Sequence, residues 1–365
     1  MVAMSGGVDS STAAVLLLQA GYDVTGATMA LLPHDIPAAA GESGCCGLSA
    51  VEDARRVCSA LDIPFYVLNF RELFEREVIN YFIASYLEGQ TPNPCIACNR
   101  RLKFGALLQR ARALEMDYIA TGHYARRWFD NERGRYLLAR SRDRAKDQSY
   151  ALYTFTQEQL AHTLLPLGDY TKEEVRWIAA QHKLPVAQKS ESQDICFIPG
   201  GDYRDYLQKK VPQTIKPGPI IDVTGRVLGQ HRGLPFYTIG QRKGLGLAMG
   251  KPYYVVALDR TRNAVIVGEE EELRRRVLFS RANNYILWDE PPSEVRVEAK
   301  IRYRAAAAPA TLYPLEGGRA RLLFDEPQRA ITPGQAVVYY QDDLVVGGGI
   351  IEPLEYDGFK PKSKQ

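Results

Sequence analysis

The heptapeptide Ser5-Gly6-Gly7-Val8-Asp9-Ser10-Ser11 constrains this chain more than any other stretch. It follows a short apolar lead-in, Val2-Ala3-Met4, and opens a helical run from Ser10 to Gln19. A strand that turns through two glycines into a helix start exposes backbone N–H groups, and the helix dipole adds partial positive charge where they converge. The expected product is an anion cradle, most often for phosphate. Asp9 and Ser10 are good helix-capping residues in any protein, but a cap alone does not require the two glycines before it.

A Walker loop needs Lys followed by Ser or Thr after a longer glycine spacing, and a dinucleotide fingerprint needs three spaced glycines. Neither pattern stands here. Ser-Gly-Gly-x-Asp-Ser resembles instead the pyrophosphatase-type loop (PP-loop) of enzymes that use ATP to adenylate a substrate and release pyrophosphate. The resemblance implies AMP transfer to an acceptor that the loop itself does not name.

With 365 residues the chain has room for two or three domains. Hydrophobic content of 45% and charged content of 24% exclude disordered and collagen-like classes. No apolar run approaches the roughly 20 residues of a membrane span, and the chain starts directly on strand and loop without a basic leader. A cytoplasmic protein with no membrane partner is expected. The net charge of +3 is too weak to argue for nucleic acid by itself. Between Arg126 and Lys146, however, eight basic residues face three acids, a candidate phosphate-contacting surface whose plain alternative is a solvated face. Six cysteines in a cytoplasmic chain of this size do not form a disulfide framework and are read singly.

After the loop helix, Gly21 is a stop signal and Asp23 to Met29 a second strand, so a βαβ unit begins. Residues 33–49, rich in small residues and containing Cys45 and Cys46, read as a mobile loop over the pocket. Val51, Ala54, Val57, Cys58 and Leu61 share a helical face, which makes Cys58 a core residue. Phe65 to Phe70 is the next strand, Glu72 to Leu87 a long helix, and Tyr118 to Ala120 a strand opening into Thr121-Gly122-His123-Tyr124. Ligands collect beyond such strand ends in a doubly wound sheet.

Thr91-Pro92-Asn93-Pro94-Cys95-Ile96-Ala97-Cys98-Asn99 is the second signal. Its prolines deny helix until Cys95, after which Asn99 to Leu114 runs helical, so both thiols sit near a helix N-terminus where the reactive thiolate is favoured. A Cys-x-x-Cys pair also suits a redox disulfide or half of a zinc site. Cys196 follows a helix with a capping box at Thr171 and Glu174 and lies in a strand-like run, where alternation alone would make it a core residue.

Taken together, Ala3 to Ser11, Thr121 to Tyr124, Lys146-Asp147-Gln148, Ser192 to Ile198, Gly233 to Gly246 and Ile301-Arg302-Tyr303 resemble, in order, the bacterial tRNA-specific 2-thiouridylase family over nearly the whole chain. That resemblance implies an α/β fold: an N-terminal adenine-nucleotide alpha-hydrolase-like (PP-loop, Rossmann-like), doubly wound parallel sheet, then a small central module and a C-terminal β-barrel. The expected domains are 1–200 for ATP binding and catalysis, 201–270 as connector and 271–365 as tRNA-contacting barrel. It implies ATP-dependent 2-thiolation of the wobble uridine of tRNA, with ATP held by Ala3, Met4, Ser5, Gly6, Gly7, Val8, Asp9 and Ser10. Met29 and Gly122 would border the adenosine, and Mg²⁺ would offset phosphate charge.

Adenylation of the uridine C2 oxygen would let sulfur displace AMP. Cys196 would carry a persulfide loaded by a sulfur-carrier donor protein, and Cys98 would act as nucleophile, either releasing sulfide from the persulfide or closing a disulfide with Cys196 as the thiouridine forms, with Asp9 as the third catalytic residue. Asn93, Pro94 and Cys95 align with the segment that meets the target base, while Lys146, Asp147, Gln148, Arg302 and Tyr303 align with tRNA contacts; no DNA partner is implied. Many members carry Asp at the place of Cys95. The substitution raises the hypothesis that Cys95, Cys98 and Cys196 hold a [4Fe–4S] cluster with one iron open to sulfide.

From Lys216 onward β-branched residues, Pro and Gly replace long helical runs. Ile220 to Leu228 reads as a hairpin, and Tyr253 to Leu258 with Ala264 to Val267 as two more strands. Gln241-Arg242-Lys243-Gly244 suits RNA phosphate or a solvated turn equally. Val295 to Arg304 alternates as a strand, with Arg302 and Tyr303 at its end, where an arginine pairs with phosphate and a tyrosine stacks on a base. Residues 356–365 read as a disordered basic tail. Two further readings are a PP-loop amide or amidine synthetase, which would need neither Cys98 nor Cys196, and a tRNA-binding protein with an inactive site.

Overall fold

A computed structural model of the chain describes residues 1–33, 47–190, 195–198, 201–247 and 250–353. The expected loop over the pocket, Cys45 and Cys46 included, falls almost wholly on 34–46, and the expected tail on 354–365; both lie outside the described residues.

The first sheet is parallel, with strand order β3-β2-β1-β4-β7. Its strands are β1 (Val2–Ala3), β2 (Gly26–Ala30), β3 (Phe65–Asn69), β4 (Ile119–Ala120) and β7 (Thr163–Leu164). Helix α1 (Val8–Gln19), α2 (Leu48–Ala60) and α6 (Lys172–Gln181) cover one face, where Val2 and Met4 pack with Val15, Val57 and Val175. Helix α3 (71–87) and α4 (94–113) cover the other, where Ala27 and Met29 pack with Phe74, Phe82 and Leu107. Each large side chain so buried contributes about 1.5–3 kcal/mol, and the alternation of β1 and β2 between the two cores is what fixes the sheet between two helical layers. The chain leaves β1 toward β2 on one side and β4 on the other, which makes the end of β1 the topological switch point.

Both α3 and α4 contain a π-helical stretch, Glu75–Ile79 and Asn99–Ala106. Helix α4 begins earlier than the prolines suggested. Pro94 stands at its first position, where a missing N–H is harmless, and Asn93 caps it by accepting from the Cys95 and Ile96 N–H groups at 3.1 and 3.3 Å. Both thiols of the Cys-x-x-Cys pair are therefore inside the helix.

The central unit is a four-stranded sheet, β10-β11-β8-β9, from β8 (Gly218–Asp222), β9 (Val227–His231), β10 (Tyr254–Asp259) and β11 (Ala264–Gly268). The expected hairpin is β8–β9, its turn closed by Asp222 accepting from Thr224 and Arg226. The last unit is a barrel, β12 (Arg274–Tyr285), β15 (Arg319–Arg329), β14 (Ala308–Leu315), β13 (Val295–Lys300), β16 (Ala336–Gln341) and β17 (Leu344–Ile351), closed by pairing of β17 with β12. Closure removes the edges that an open sheet of this length would expose. As the alternation required, Val295, Val297, Ala299 and Ile301 are buried.

Two sequence expectations change, and a third segment gains partners. The strand expected to run to Arg304 stops at Lys300, and Arg302 and Tyr303 lie in the turn beyond it. Cys196 sits in a turn, closed by the Ile198 N–H on the Ile195 carbonyl at 2.9 Å, and not in a strand. The basic segment after Tyr124 is a hairpin, β5 (Ala125–Asp130) and β6 (Arg135–Arg140), that joins the barrel through Leu344 opposite Ala139. Its arginines are engaged within the protein: Arg126 and Arg144 with Asp343, Arg140 with Glu298, Arg142 with Glu174. Non-local pairing of this kind leaves no local sequence pattern.

Candidate active site and nucleic-acid surface

The turn after β1 is built around one obligatory glycine. Gly6 has φ +66°, and a Cβ on it would lie 2.3 Å from the Ala50 carbonyl oxygen of α2. Gly7, by contrast, is extended at φ −106° and is the N-cap of α1, a cap without any side-chain hydrogen bond. Asp9 and Ser10 do not cap the helix. The Asp9 carboxylate accepts from the Tyr124 hydroxyl at 2.8 Å and from the Lys172 ammonium at 2.6 Å. The Ser10 hydroxyl accepts from the Ser5 N–H at 3.1 Å and donates to the Gly7 carbonyl, and Ser11 donates to the same carbonyl at 2.8 Å. The start of a three-turn helix is thus left without a side-chain acceptor, at the switch point of the sheet, with its N–H groups and dipole toward whatever anion enters.

Of the other predicted nucleotide residues, Ala3 and Met4 close β1, Val8 is buried in the core, and Met29 is buried near the end of β2. Gly122 backs the loop: a Cβ there would meet the Asp9 carbonyl carbon and the Ser10 nitrogen at 2.7 Å. Glycine is required at 122 because the end of β4 presses on the first turn of α1. His123 follows, its ring nitrogen 2.8 Å from the Thr121 hydroxyl; burial beside Phe104, with Lys103 adding to it, keeps its pKa well below the usual 6.5.

Two lysines escape a sequence reading. Lys172 is buried and pairs with Asp9, and Lys189 donates to the Gly6 carbonyl at 3.0 Å and to Asp53 of α2 at 2.6 Å. The one available signal is at Lys172, the first residue of α6, where a cation opposes the helix dipole and so calls for a compensating carboxylate. Nothing in the local sequence marks Lys189.

Cys95 is exposed, whereas Cys98 and Cys196 are half-buried and border the same apolar core. The Cys196 turn is anchored by Phe197, whose ring sits 5.7 Å from Phe74 and 5.3 Å from Phe82 of α3. Among the described residues no three His, Cys, Asp or Glu side chains gather closely enough to hold a metal ion. Cys58 is fully buried, and burial pushes its thiol up to about 11.

Of the predicted tRNA residues, Asp147 and Tyr303 meet at the junction of hairpin and barrel. The Asp147 carboxylate accepts from the Ser141 and Ser149 N–H groups, and Gln148 exchanges hydrogen bonds with the Tyr124 backbone. Tyr303 is 42% exposed, its hydroxyl 3.3 Å from the Asp147 carbonyl and its ring under the Lys300 ammonium at 5.5 Å. It is not the last core residue of its strand. Arg302 is half-buried and donates to the Arg329 carbonyl at 3.3 Å, and Lys146 is half-buried at the start of the triplet. Asn93 is occupied as a helix cap, beside buried Pro94.

Family models match three consecutive stretches: a tRNA methyl transferase HUP domain over residues 1–200, a tRNA methyl transferase PRC-barrel domain over 204–269 and an aminomethyltransferase beta-barrel domain over 275–351. A tRNA-specific 2-thiouridylase MnmA from Moorella thermoacetica is 76% identical over 97% of this chain and 99% of that protein. Proteins of the same name from Carboxydothermus hydrogenoformans and Acetivibrio thermocellus are 55% and 54% identical, each over 96% of this chain and 97% and 98% of their own lengths.

Proposed function

The chain belongs to the tRNA-specific 2-thiouridylase family, and we infer that it uses ATP to exchange the C2 oxygen of the wobble uridine of tRNA for sulfur. The observation that carries this reading is the start of α1, behind Gly6 and Gly7, which no side chain caps and which Lys172 and Lys189 flank through Asp9 and Gly6. A loop of that kind suits the phosphates of ATP, and membership of an ATP-using PP-loop family brings Mg²⁺ with it as a counter-charge. Asp9 is the carboxylate nearest the helix start, now neutralised by Lys172.

The reaction balances in two steps. The uridine C2 oxygen attacks the α-phosphorus of ATP and pyrophosphate leaves. A terminal persulfide sulfur then attacks C2 and AMP leaves with the former carbonyl oxygen. In our reading Cys196 carries the persulfide, delivered by a sulfur-donor protein, and Cys98 attacks the inner sulfur to close a disulfide as thiouridine forms; a reductant resets the pair. Cys98 is the fifth residue of α4, half-buried one turn in from the capped N-terminus. The domains divide as 1–200 for catalysis, 201–270 as connector and 271–365 as tRNA-contacting barrel, crossed by the β5–β6 hairpin. Tyr303, Arg302 and Lys146 present a stacking ring and cations to RNA, while Asn93, Pro94 and Cys95 stand where the target base would approach the thiols. No helix among the described residues is long and apolar enough to cross a membrane, and we place the enzyme with its tRNA in the cytoplasm.

Cys98→Ser and Cys196→Ser variants, assayed for thiouridine by mass spectrometry of tRNA and for tRNA-dependent ATP–pyrophosphate exchange, test this directly. Thiolation should vanish in both while exchange persists. Full thiouridine formation by either variant would sink the sulfur relay, and absence of exchange in the wild type would sink adenylation.

A further inference from the structure

We propose that Lys189 is a positioning residue for the adenylation step, one that sets the plane of the Gly6–Gly7 peptide and ties the ATP loop to the segment bearing Cys196. The proposal rests on the function proposed above. Lys189 follows α6 and precedes Cys196 by seven residues. Its ammonium donates to the Gly6 carbonyl at 3.0 Å and to the Asp53 carboxylate at 2.6 Å, and Asp53 is largely shielded, with 15% of its side chain exposed. The backbone on either side is held as well, since the Arg176 guanidinium reaches the carbonyls of Ala187 and Lys189 at 3.3 and 3.5 Å.

Three chain segments therefore converge on one cation: the loop after β1, the first turns of α2 and the segment that follows α6 and carries Lys189. In a trans peptide the carbonyl of one residue and the N–H of the next point in opposite directions. Holding the Gly6 carbonyl toward Lys189 therefore turns the Gly7 N–H away from it, into the set of donors at the α1 start. Gly6 itself has φ +66° and lies so close to α2 that a Cβ on it would be 2.3 Å from the Ala50 carbonyl oxygen. A neutral side chain at 189 would release the carbonyl, leave the Asp53 carboxylate without this cation and loosen the peptide that the phosphates must meet. Because the same ammonium is attached to the Cys196 segment, nucleotide on the loop and the environment of Cys196 should respond to each other.

The test uses the full chain, with Lys189→Met keeping the apolar stem and Lys189→Arg keeping the charge. Two quantities are read: the KM for ATP in tRNA-dependent ATP–pyrophosphate exchange, and the rate of Cys196 alkylation with and without a non-hydrolysable ATP analogue. In the wild type the analogue should slow alkylation at least threefold. Lys189→Met should raise the KM roughly tenfold, the lower end for a lost charge-assisted hydrogen bond, with a smaller change in kcat, and should abolish the nucleotide effect on Cys196; Lys189→Arg should restore part of both. A KM within twofold of wild type with the alkylation response intact overturns the proposal, even if the melting temperature falls, because that pattern is a structural role alone. A raised KM with an unchanged alkylation response, or a wild type whose Cys196 ignores nucleotide, overturns the tie to Cys196. A wild type without exchange overturns the functional reading beneath it.

Discussion

Gly6→Ala is the sharpest test of how the loop is held. An alanine at φ +66° costs about 1 kcal/mol from its left-handed backbone alone. Its Cβ would also lie 2.3 Å from the Ala50 oxygen, 2.8 Å from the Ala50 Cα and 2.9 Å from the Ala50 carbonyl carbon, all backbone atoms of α2 that cannot rotate aside. Relief requires the loop and α2 to separate, and forced overpacking of this kind costs roughly 1–3 kcal/mol more. The expected destabilisation is about 2–4 kcal/mol, with the Lys189 contact to Gly6 lost as the loop moves. Gly7→Ala is the control, because Gly7 is extended and a Cβ there would meet only the Ser5 hydroxyl at an ordinary 3.5 Å. Denaturant unfolding of both variants, followed by ATP titration calorimetry, separates the effects. Gly6→Ala should unfold at clearly lower denaturant and bind ATP poorly, whereas Gly7→Ala should keep its stability within about 0.5 kcal/mol. Equal midpoints for the two variants would refute the claim that packing on Ala50, and not loop flexibility, is what demands glycine at position 6.

Two further outcomes follow from titration. At pH 8 a mild alkylating reagent should modify exposed Cys95 well before Cys58, whose thiol burial pushes up to about 11; comparable labelling of the two in native protein would contradict the buried placement. His123 is held neutral, so between pH 6.5 and its depressed native value the unfolded chain binds a proton that the folded chain refuses; stability should fall as pH drops below about 6.5, and His123→Gln should flatten that slope in chemical-denaturation curves, leaving the share from His231, whose pKa burial also lowers.

What was legible in the sequence tracked local physics. The Ser5 to Ser11 turn, the helical face with Cys58 and the alternation of Val295 to Ile301 are patterns of period or punctuation, and each stands in the fold. What was illegible depended on distant partners. Asp9 reads as a cap until Lys172 and Tyr124, 163 and 115 residues away, claim its carboxylate. The pairing of Arg126 of β5 and Arg140 of β6 with Asp343 and Glu298 of the barrel has no local signal either. Cys196 reads as a strand residue because Ile195, Cys196, Phe197 and Ile198 are apolar or small, yet the rings of Phe74 and Phe82 draw Phe197 inward and curl the segment into a turn.

The same distant contacts explain how one chain can bring a bulky RNA to a small anion site. Tyr124 lies at the centre. Its hydroxyl holds Asp9 at 2.8 Å, and its backbone exchanges two hydrogen bonds with Gln148 at 2.9 Å each. The neighbouring Asp147 fixes the loop through Ser141 and Ser149 and offers its carbonyl to Tyr303. Tyr303, proposed to meet tRNA, and Asp9, on the loop proposed to meet ATP, are thus both held to one short segment between β4 and the barrel. Adenylation gains most from fixing the attacking oxygen and the phosphorus near contact distance, and a displacement of about 1 Å can cost a hundredfold in rate. An Asp147 or Gln148 whose side chain is spent on the backbone N–H groups of Ser141, Ser149 and Tyr124 serves that end better than one reaching for phosphate. The Asp147 carbonyl also holds the Tyr303 hydroxyl at 3.3 Å.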